Sequence, residues 1–288
     1  FTIRVGAEAV VDATGSIITN GGVVSDGTLT LNSVSDNYSS LIPNGTVTGN
    51  VRYFRHANNT AAVGEEDAND LIAPPVSGEA FNVFAGNNSN IVSNGGGTQY
   101  LFGPFDKTTN TYLSYASTET APLNAGTGYR VASTDNSTFE FNGTVNTSTI
   151  NVPVVVSGPT YPEWNLVGNP YPSYITLVDF LTTNSSQLAS PSVGIYGYDG
   201  NASNGWTIWN QAYSDLNPNA VITPGQGFLV ASVAGGGNIN FTPAMRTIGN
   251  SDDFIAGRNN NISYFKLNLT NGSDAYYSEF YVSDNASL

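Results

Sequence analysis

The chain has 288 residues and a formal net charge of −14, with eight Lys plus Arg against 22 Asp plus Glu, and it contains no cysteine. So few cations exclude nucleic acid and anionic membrane surfaces as partners, because both are held through cationic patches. The missing thiols exclude disulfides, thiol catalysis and Cys-ligated zinc.

Only 10% of the residues are charged, against about 25% in an average domain. With 31 Gly, 14 Pro, 16 Tyr and 14 Phe, this is the composition of a loop-rich, all-β protein with a neutral polar surface. No apolar run reaches the roughly 18 residues needed to span a bilayer, so no membrane insertion is expected. The chain begins at Phe1 with neither Met nor a leader, which reads as a processed or excised segment.

In chain order, residues 1–50 alternate short apolar runs (Thr2-Ile3-Arg4-Val5, Ile17-Ile18, Val23-Val24, Thr28 to Leu31, Leu41-Ile42) with turns at Asp26-Gly27 and Asn44-Gly45. Two readings fit: hairpin strands opening a β-sandwich, or the end of a β-solenoid. The sandwich is the reading we expect. A strand at Val51 to Phe54 follows, carrying Arg52 and Arg55, and then an acidic loop at Glu65-Glu66-Asp67.

Self-comparison gives the organisation. Leu71-Ile72 recurs as Leu166-Val167, Ser77 and Phe84 as Ser173 and Phe180, and Gly126-Thr127-Gly128-Tyr129 as Gly225-Gln226-Gly227-Phe228. A period near 100 in two copies favours an internal pseudo-twofold over a solenoid, whose repeats are shorter. The expected division is therefore an N-terminal β segment (1–50), a first β repeat (51–160), a second β repeat (161–250) and a C-terminal β-hairpin (251–288). The expected architecture is a β-sandwich or jelly-roll-like fold with an internal duplication.

Very little helix is expected, one or two turns at Glu79 to Ala85 and at Ile175 to Leu181, the second capped by Ser173. The best-marked corner is Trp164 to Ser173, where a strand stops at Gly168-Asn169 and at Pro170 and Pro172. Its sibling is Leu71 to Ser77. In the second copy Trp164 replaces Asn69 and Tyr171 replaces Val76, so any function special to that half lies in those substitutions.

Candidate chemistry is sparse. His56 is the only histidine, and no Gly-x-Ser-x-Gly elbow surrounds any serine, so a serine triad is not expected. His56 reads as a surface residue beside Arg55. Acidic runs such as Ser251-Asp252-Asp253 read as solvated loops rather than the facing carboxylates of a glycosidase. The Gly-x-Gly pairs lead into strands, not helices, and so read as tight turns rather than phosphate cradles.

Asp199, Asn201 and Ser203 alternate oxygen side chains as a calcium loop does, and Asp106, Thr108 and Asn110 repeat the idea in the first copy. The distal bidentate Glu is missing, however, and Asx turns explain the pattern without metal. No cofactor is expected beyond that calcium option.

Trp206, Trp209 and Tyr198 are the candidate ligand-binding residues, through stacking of their rings on sugars. Trp206 and Trp209 differ by an odd number of positions and so face opposite sides of a strand.

The strings WNLVGNPYPS (164–173), ITPGQGFLVAS (222–232) and INFTPAMRT (239–247) resemble large secreted cell-surface proteins of Bacteroidota exported by the type IX secretion system. VTGNVRYFRH, LIAPPVSG, LNAGTGYRV and FKLNLTNG follow in the same order. The resemblance implies an extracellular or outer-surface location and an adhesin-like role, and it implies no catalytic residues.

We therefore expect a non-enzymatic surface protein, adhesin-like or a structural stalk, assembling into a filament with neighbouring copies of itself or docking on adjoining domains. A module binding surface glycans is the alternative, and a secreted hydrolase the second alternative.

Overall fold

A computed structural model describes residues 1–57, 69–198, 206–254, 263–271 and 274–282. Through residue 56 the chain runs in strands of two to six residues: β1 (Thr2–Ile3), β2 (Glu8–Val11), β3 (Ser16–Thr19), β4 (Val23–Ser25), β5 (Thr28–Leu31), β6 (Ser33–Val34), β7 (Asn37–Tyr38), β8 (Ser40–Pro43), β9 (Val47–Thr48) and β10 (Val51–His56). Apart from the β6–β7 hairpin, these strands pair with one another in parallel. Thr2 lies beside Val24 and Val24 beside Thr48, Val10 beside Thr30 and Thr30 beside Arg52, and Ile17 beside Leu41.

Strands that return in parallel after one circuit stack as coils, the pairing of a solenoid rather than of hairpins. Asp26-Gly27 and Asn44-Gly45 are thus corners of a coil. At Gly27 a Cβ would stand 2.2 Å from the Ala7 carbonyl and 2.4 Å from that of Arg4, so the stacked backbone above admits only glycine.

The first copy contains β11 (Asp70–Ile72), α1 (Phe81–Asn87), β12 (Phe102–Gly103), β13 (Phe105–Asp106), β14 (Thr111–Tyr112), β15 (Tyr129–Val131) and β16 (Thr138–Gly143). β10 joins it to the coils, pairing in parallel with β5 on one edge and antiparallel with β16 on the other. One core accordingly runs from Val11 and Leu31 through Tyr53 to Phe84 and Phe141.

The second copy contains β17 (Ile150–Val154), β18 (Trp164–Gly168), β19 (Tyr174–Thr176), α2 (Leu177–Asn184), β20 (Gly194–Tyr198), β21 (Trp206–Asn210), α3 (Gln211–Leu216), β22 (Val221–Ile222), β23 (Gly227–Ala231), β24 (Gly237–Phe241) and β25 (Arg246–Thr247). The chain ends in an antiparallel pair, β26 (Ser263–Asn271) with β27 (Asp274–Val282).

The duplication is visible in pairing and in packing. The sheet order β11-β15-β12 corresponds to β18-β23-β20, and the β20–β21 pair of the second copy answers to the β13–β14 pair of the first, where Leu113 N–H also donates to Pro104 O and Tyr115 N–H to Phe102 O. α1 packs Phe84 on Phe141 with ring centres 4.6 Å apart, and α2 packs Phe180 on Phe241 at 5.5 Å.

At the C-terminal end of α1 and of α2 an asparagine clamps the outer strand. Asn88 Nδ2 donates to the carbonyls of Phe84 and Glu140, and its Oδ1 accepts the Glu140 N–H. Asn184 does the same with Phe180 and Asn240.

The copies meet reciprocally. Ile72 bridges Gln226 while Val167 bridges Thr127, and Ala73 N–H donates to Gly225 O at 2.8 Å while Gly168 N–H donates to Gly126 O at 2.9 Å. Both of these pairs recur with the copies exchanged, as a twofold relation requires.

The helices lie slightly later than expected. Glu79 O accepts the Leu123 N–H and Ala80 bridges Pro122, which delays α1 to Phe81, while β19 occupies Tyr174 to Thr176 and delays α2 to Leu177. Thr176, not Ser173, is the residue before α2, and its hydroxyl reaches Asp179. The Ser173 carbonyl instead accepts Asn169 Nδ2 at 2.8 Å. α3 was not expected; Asn210 starts it by accepting the Tyr213 N–H at 3.0 Å.

Candidate functional site

The four-stranded sheet β18-β23-β20-β21 sorts its side chains by period-2 alternation. Its register puts Trp164, Leu166, Leu229, Tyr196, Ile208 and Trp206 on one face, and Val167, Phe228, Ile195 and Trp209 on the other.

Trp209 is on the inward side. It stacks on Tyr213 at 4.7 Å and 11° and lies 5.1 Å from Phe254, so its rings are spent on packing. With Tyr213, Leu216, Asn217, Ser251 and Asp252 it lines a shallow depression of about 550 Å³.

Trp206 is on the outward side and remains 45% exposed. Its ring lies 6.4 Å from that of Trp164 at 23°, and Tyr196 meets Trp164 edge-on at 4.6 Å. These three rings form an aromatic ledge.

The ledge is set by the seam between the copies. Lys107, just after β13 of the first copy, donates from Nζ to the carbonyls of Pro162, at 2.8 Å, and Trp164. Burial holds its ammonium below its ordinary pKa, opposed by the nearby Glu163 carboxylate. Gly128 lies close over Leu166, where a Cβ would come within 2.5 Å of Leu166 Cγ.

Tyr198 pairs with Trp206 in the ladder, but its side chain lies outside the described residues, as do Asp199, Asn201 and Ser203. In the first copy Asp106 accepts the Thr108 N–H at 2.9 Å and the Thr109 hydroxyl at 2.8 Å, closing an Asx turn. Among the described residues no three His, Asp or Glu side chains gather as metal ligands.

A second polar constellation is buried. The Arg55 guanidinium places Nη2 2.9 Å from both carboxylate oxygens of Asp253. Asp253 also accepts the Tyr38 hydroxyl at 3.0 Å and that of Thr223, and the Arg55 Cζ lies 4.5 Å from the Tyr38 ring centre. Tyr174 Oη accepts the Tyr38 N–H at 3.1 Å and donates to Ser251 O at 3.2 Å. Burial by itself would lower the Arg55 pKa, but the Asp253 carboxylate overcomes it and holds the group charged. Burial pushes the Tyr38 hydroxyl well up. This cluster bolts coil, first copy, second copy and the 251–254 segment together.

Two expectations are corrected. His56 is buried, not on the surface: its N–H donates to Ser33 Oγ at 2.6 Å and its Nε2 lies 2.9 Å from Asn136 O. Ser251-Asp252-Asp253 is not a solvated run, because Arg55 draws Asp253 inside and leaves Asp252 partly buried, its carboxyl pushed up to about 6 by burial and by Asp253. Glu65-Glu66-Asp67 lie outside the described residues.

The residue missed as a partner of Trp206 was Trp164. Its signal was its replacement of Asn69.

Fold and ledge together define a class: an all-β protein in which parallel coils run into a duplicated sheet unit. The chain belongs to the family described as a domain of unknown function, DUF8693, whose model matches residues 1–279. Comparison with curated proteins and with solved structures gave no match.

Proposed function

We propose that the chain is a non-enzymatic module of an extracellular bacterial surface, adhesin-like and serving as a stalk that holds a binding face away from its anchor. Continuity of the backbone ladders carries this reading. β10 belongs to the coils and to the first copy at once, and the first copy is bonded reciprocally to the second. Such a body transmits force along its length without a hinge between these parts.

The outer-surface location, the Bacteroidota source and export by the type IX system rest on the resemblance of WNLVGNPYPS and its companion strings. The test is protease added to intact cells that express the tagged protein. Cleavage before lysis is expected, and protection until lysis would sink the reading. Filament assembly has its own readout: negative-stain images and solution mass at rising concentration, where monomers throughout would remove it.

A further inference from the structure

We infer that the free end of the coil stack, the outer edge of β1, β2 and β3, is a docking face for one further β coil in parallel register, of the same kind as those beneath it and continuous with Phe1. The strands stack in rows, β1-β4-β9, β2-β5-β10 and β3-β8, and among the described residues no strand pairs with the outer edge of β1, β2 or β3. Residues of a parallel ladder turn their backbone groups alternately to either side. The carbonyls of Phe1 and Ile3 accept from Val24 and Asp26, those of Ala7 and Val11 from Thr28 and Asn32, and those of Gly15 and Thr19 from Ser40 and Asn44. Thr2, Glu8, Val10, Ser16 and Ile18 therefore turn N–H and C=O away from the stack, and all of them are exposed.

The core is open at the same end. Phe1 lies one coil above Val23, Ala9 above Leu29 and Ile17 above Leu41. The lower residue of each pair is fully buried, whereas Phe1 is 54% exposed and Ala9 and Ile17 are only partly covered. Edge strands that stay unpaired are commonly blunted by proline, lysine or bulges. Residues 1–19 contain neither proline nor lysine, and Val10 and Ile18 stand exposed on the edge strands.

Continuity with the coil interface already present names the occupant. The Phe1 nitrogen donates to Gly22 O at 3.1 Å, which repeats one coil earlier the bond of Val23 N–H to Thr46 O at 3.0 Å. A segment joined at Phe1 thus arrives on the path by which the first coil reaches Val23. It meets parallel edges and half-covered apolar positions in the register in which the second coil meets the first.

The intact chain is compared with a fusion in which residues 23–46 are repeated ahead of Phe1, so that the added Val23 falls above Phe1. Amide exchange of Glu8, Val10, Ser16 and Ile18 should be fast in the chain itself and slower by about tenfold or more in the fusion. The same segment added as a free peptide at saturating concentration should also slow it. Leu29→Ser with Leu41→Ser, made only in the added segment, should restore fast exchange. In the unextended chain Val10→Pro should lower the thermal midpoint less than Ala9→Pro, because only the Ala9 N–H points into the stack. The inference is overturned if neither fusion nor peptide slows these amides, if the Ser-bearing fusion protects them equally, or if Val10→Pro costs as much as Ala9→Pro. It is also overturned if the amides of the unextended chain become protected as its concentration rises, which would give the edge to a second copy. A protein protected in the intact-cell experiment would sink the surface reading and leave this result standing.

Discussion

Arg55 is fully buried, and its charge is tolerable only because Asp253 faces it. Removing one member of such a pair strands the other charge, at a cost of about 3–5 kcal/mol. Asp253→Ala should therefore lower the unfolding free energy measured in urea by that amount, and an unchanged value would show that the pair is not held as described. The contrasting pair is Arg52 with Glu140, bidentate at 2.7 and 2.9 Å but with Arg52 39% exposed. Glu140→Gln should cost no more than about 1 kcal/mol. Glu79 gives a pH effect of definite sign. Burial pushes its carboxyl up to about 7, although the Asn142 N–H and the Asn87 amide donate to it. A carboxyl whose folded pKa exceeds its unfolded one adds stability below the unfolded value and loses it as pH rises through about 7. The melting temperature should fall between about pH 5 and about pH 8, and Glu79→Gln should flatten that fall. An equal fall in the variant would assign the effect elsewhere.

At the scale of elements the asparagine clamps do the same work twice. Asn88 and Asn184 each make three hydrogen bonds that tie a helix end to its outer strand. Asn88→Ala and Asn184→Ala should each cost about 2 kcal/mol, since the strand amide and the carbonyls lose their partner in a buried place; denaturant unfolding of the two single variants checks both the size and the equality. These clamps illustrate what the sequence could and could not reveal. The two copies were legible because Gly-x-Gly and the proline corner recur in order, and short motifs with steric demands survive divergence. Asn88 and Asn184 repeat at the same spacing as Phe84 and Phe180, but an asparagine after a helix reads as an ordinary turn residue. The coils were hidden for a different reason. Strands of two to four residues show period 2 equally well in hairpins and in parallel stacks, and only the pairing partner, some twenty residues on, separates them. Arg55 was half legible: it shares the inward parity of Val51 and Tyr53, which demands a buried acid, but nothing local points to Asp253. Trp209 was readable as inward once paired with Trp206 by parity, whereas the stack of Trp164 on Trp206 depends on which strands become neighbours.

At the scale of the whole molecule, the question is whether coils, first copy and second copy are separable. Three ties argue that they are not. β10 is shared between the coils and the first copy. Leu71 of the first copy packs into the second copy's core, and Leu41 N–H of the coils donates to Pro172 O at the second copy's corner. Arg55, Tyr38 and Asp253 then close the ring of contacts from the third side. A chain of this length often unfolds in stages, but bodies that share strands, core and buried charge should melt together. Calorimetry should give one transition over residues 1–254, with van't Hoff and calorimetric enthalpies in a ratio near one. Gly227→Ala is the discriminating variant. Its Cβ would stand 2.7 Å from Leu71 C and 2.8 Å from Ile72 N, backbone atoms of the opposite copy that cannot step aside as a side chain can, so the seam must part. Overpacking of this kind costs roughly 1–3 kcal/mol. If the seam is what couples the copies, the variant should broaden the transition or split it in two, with the ratio falling below one. A variant that melts lower but still as one sharp transition would place the coupling in the Arg55–Asp253 cluster and the shared core instead, and combining it with Asp253→Ala would then be what splits the melt.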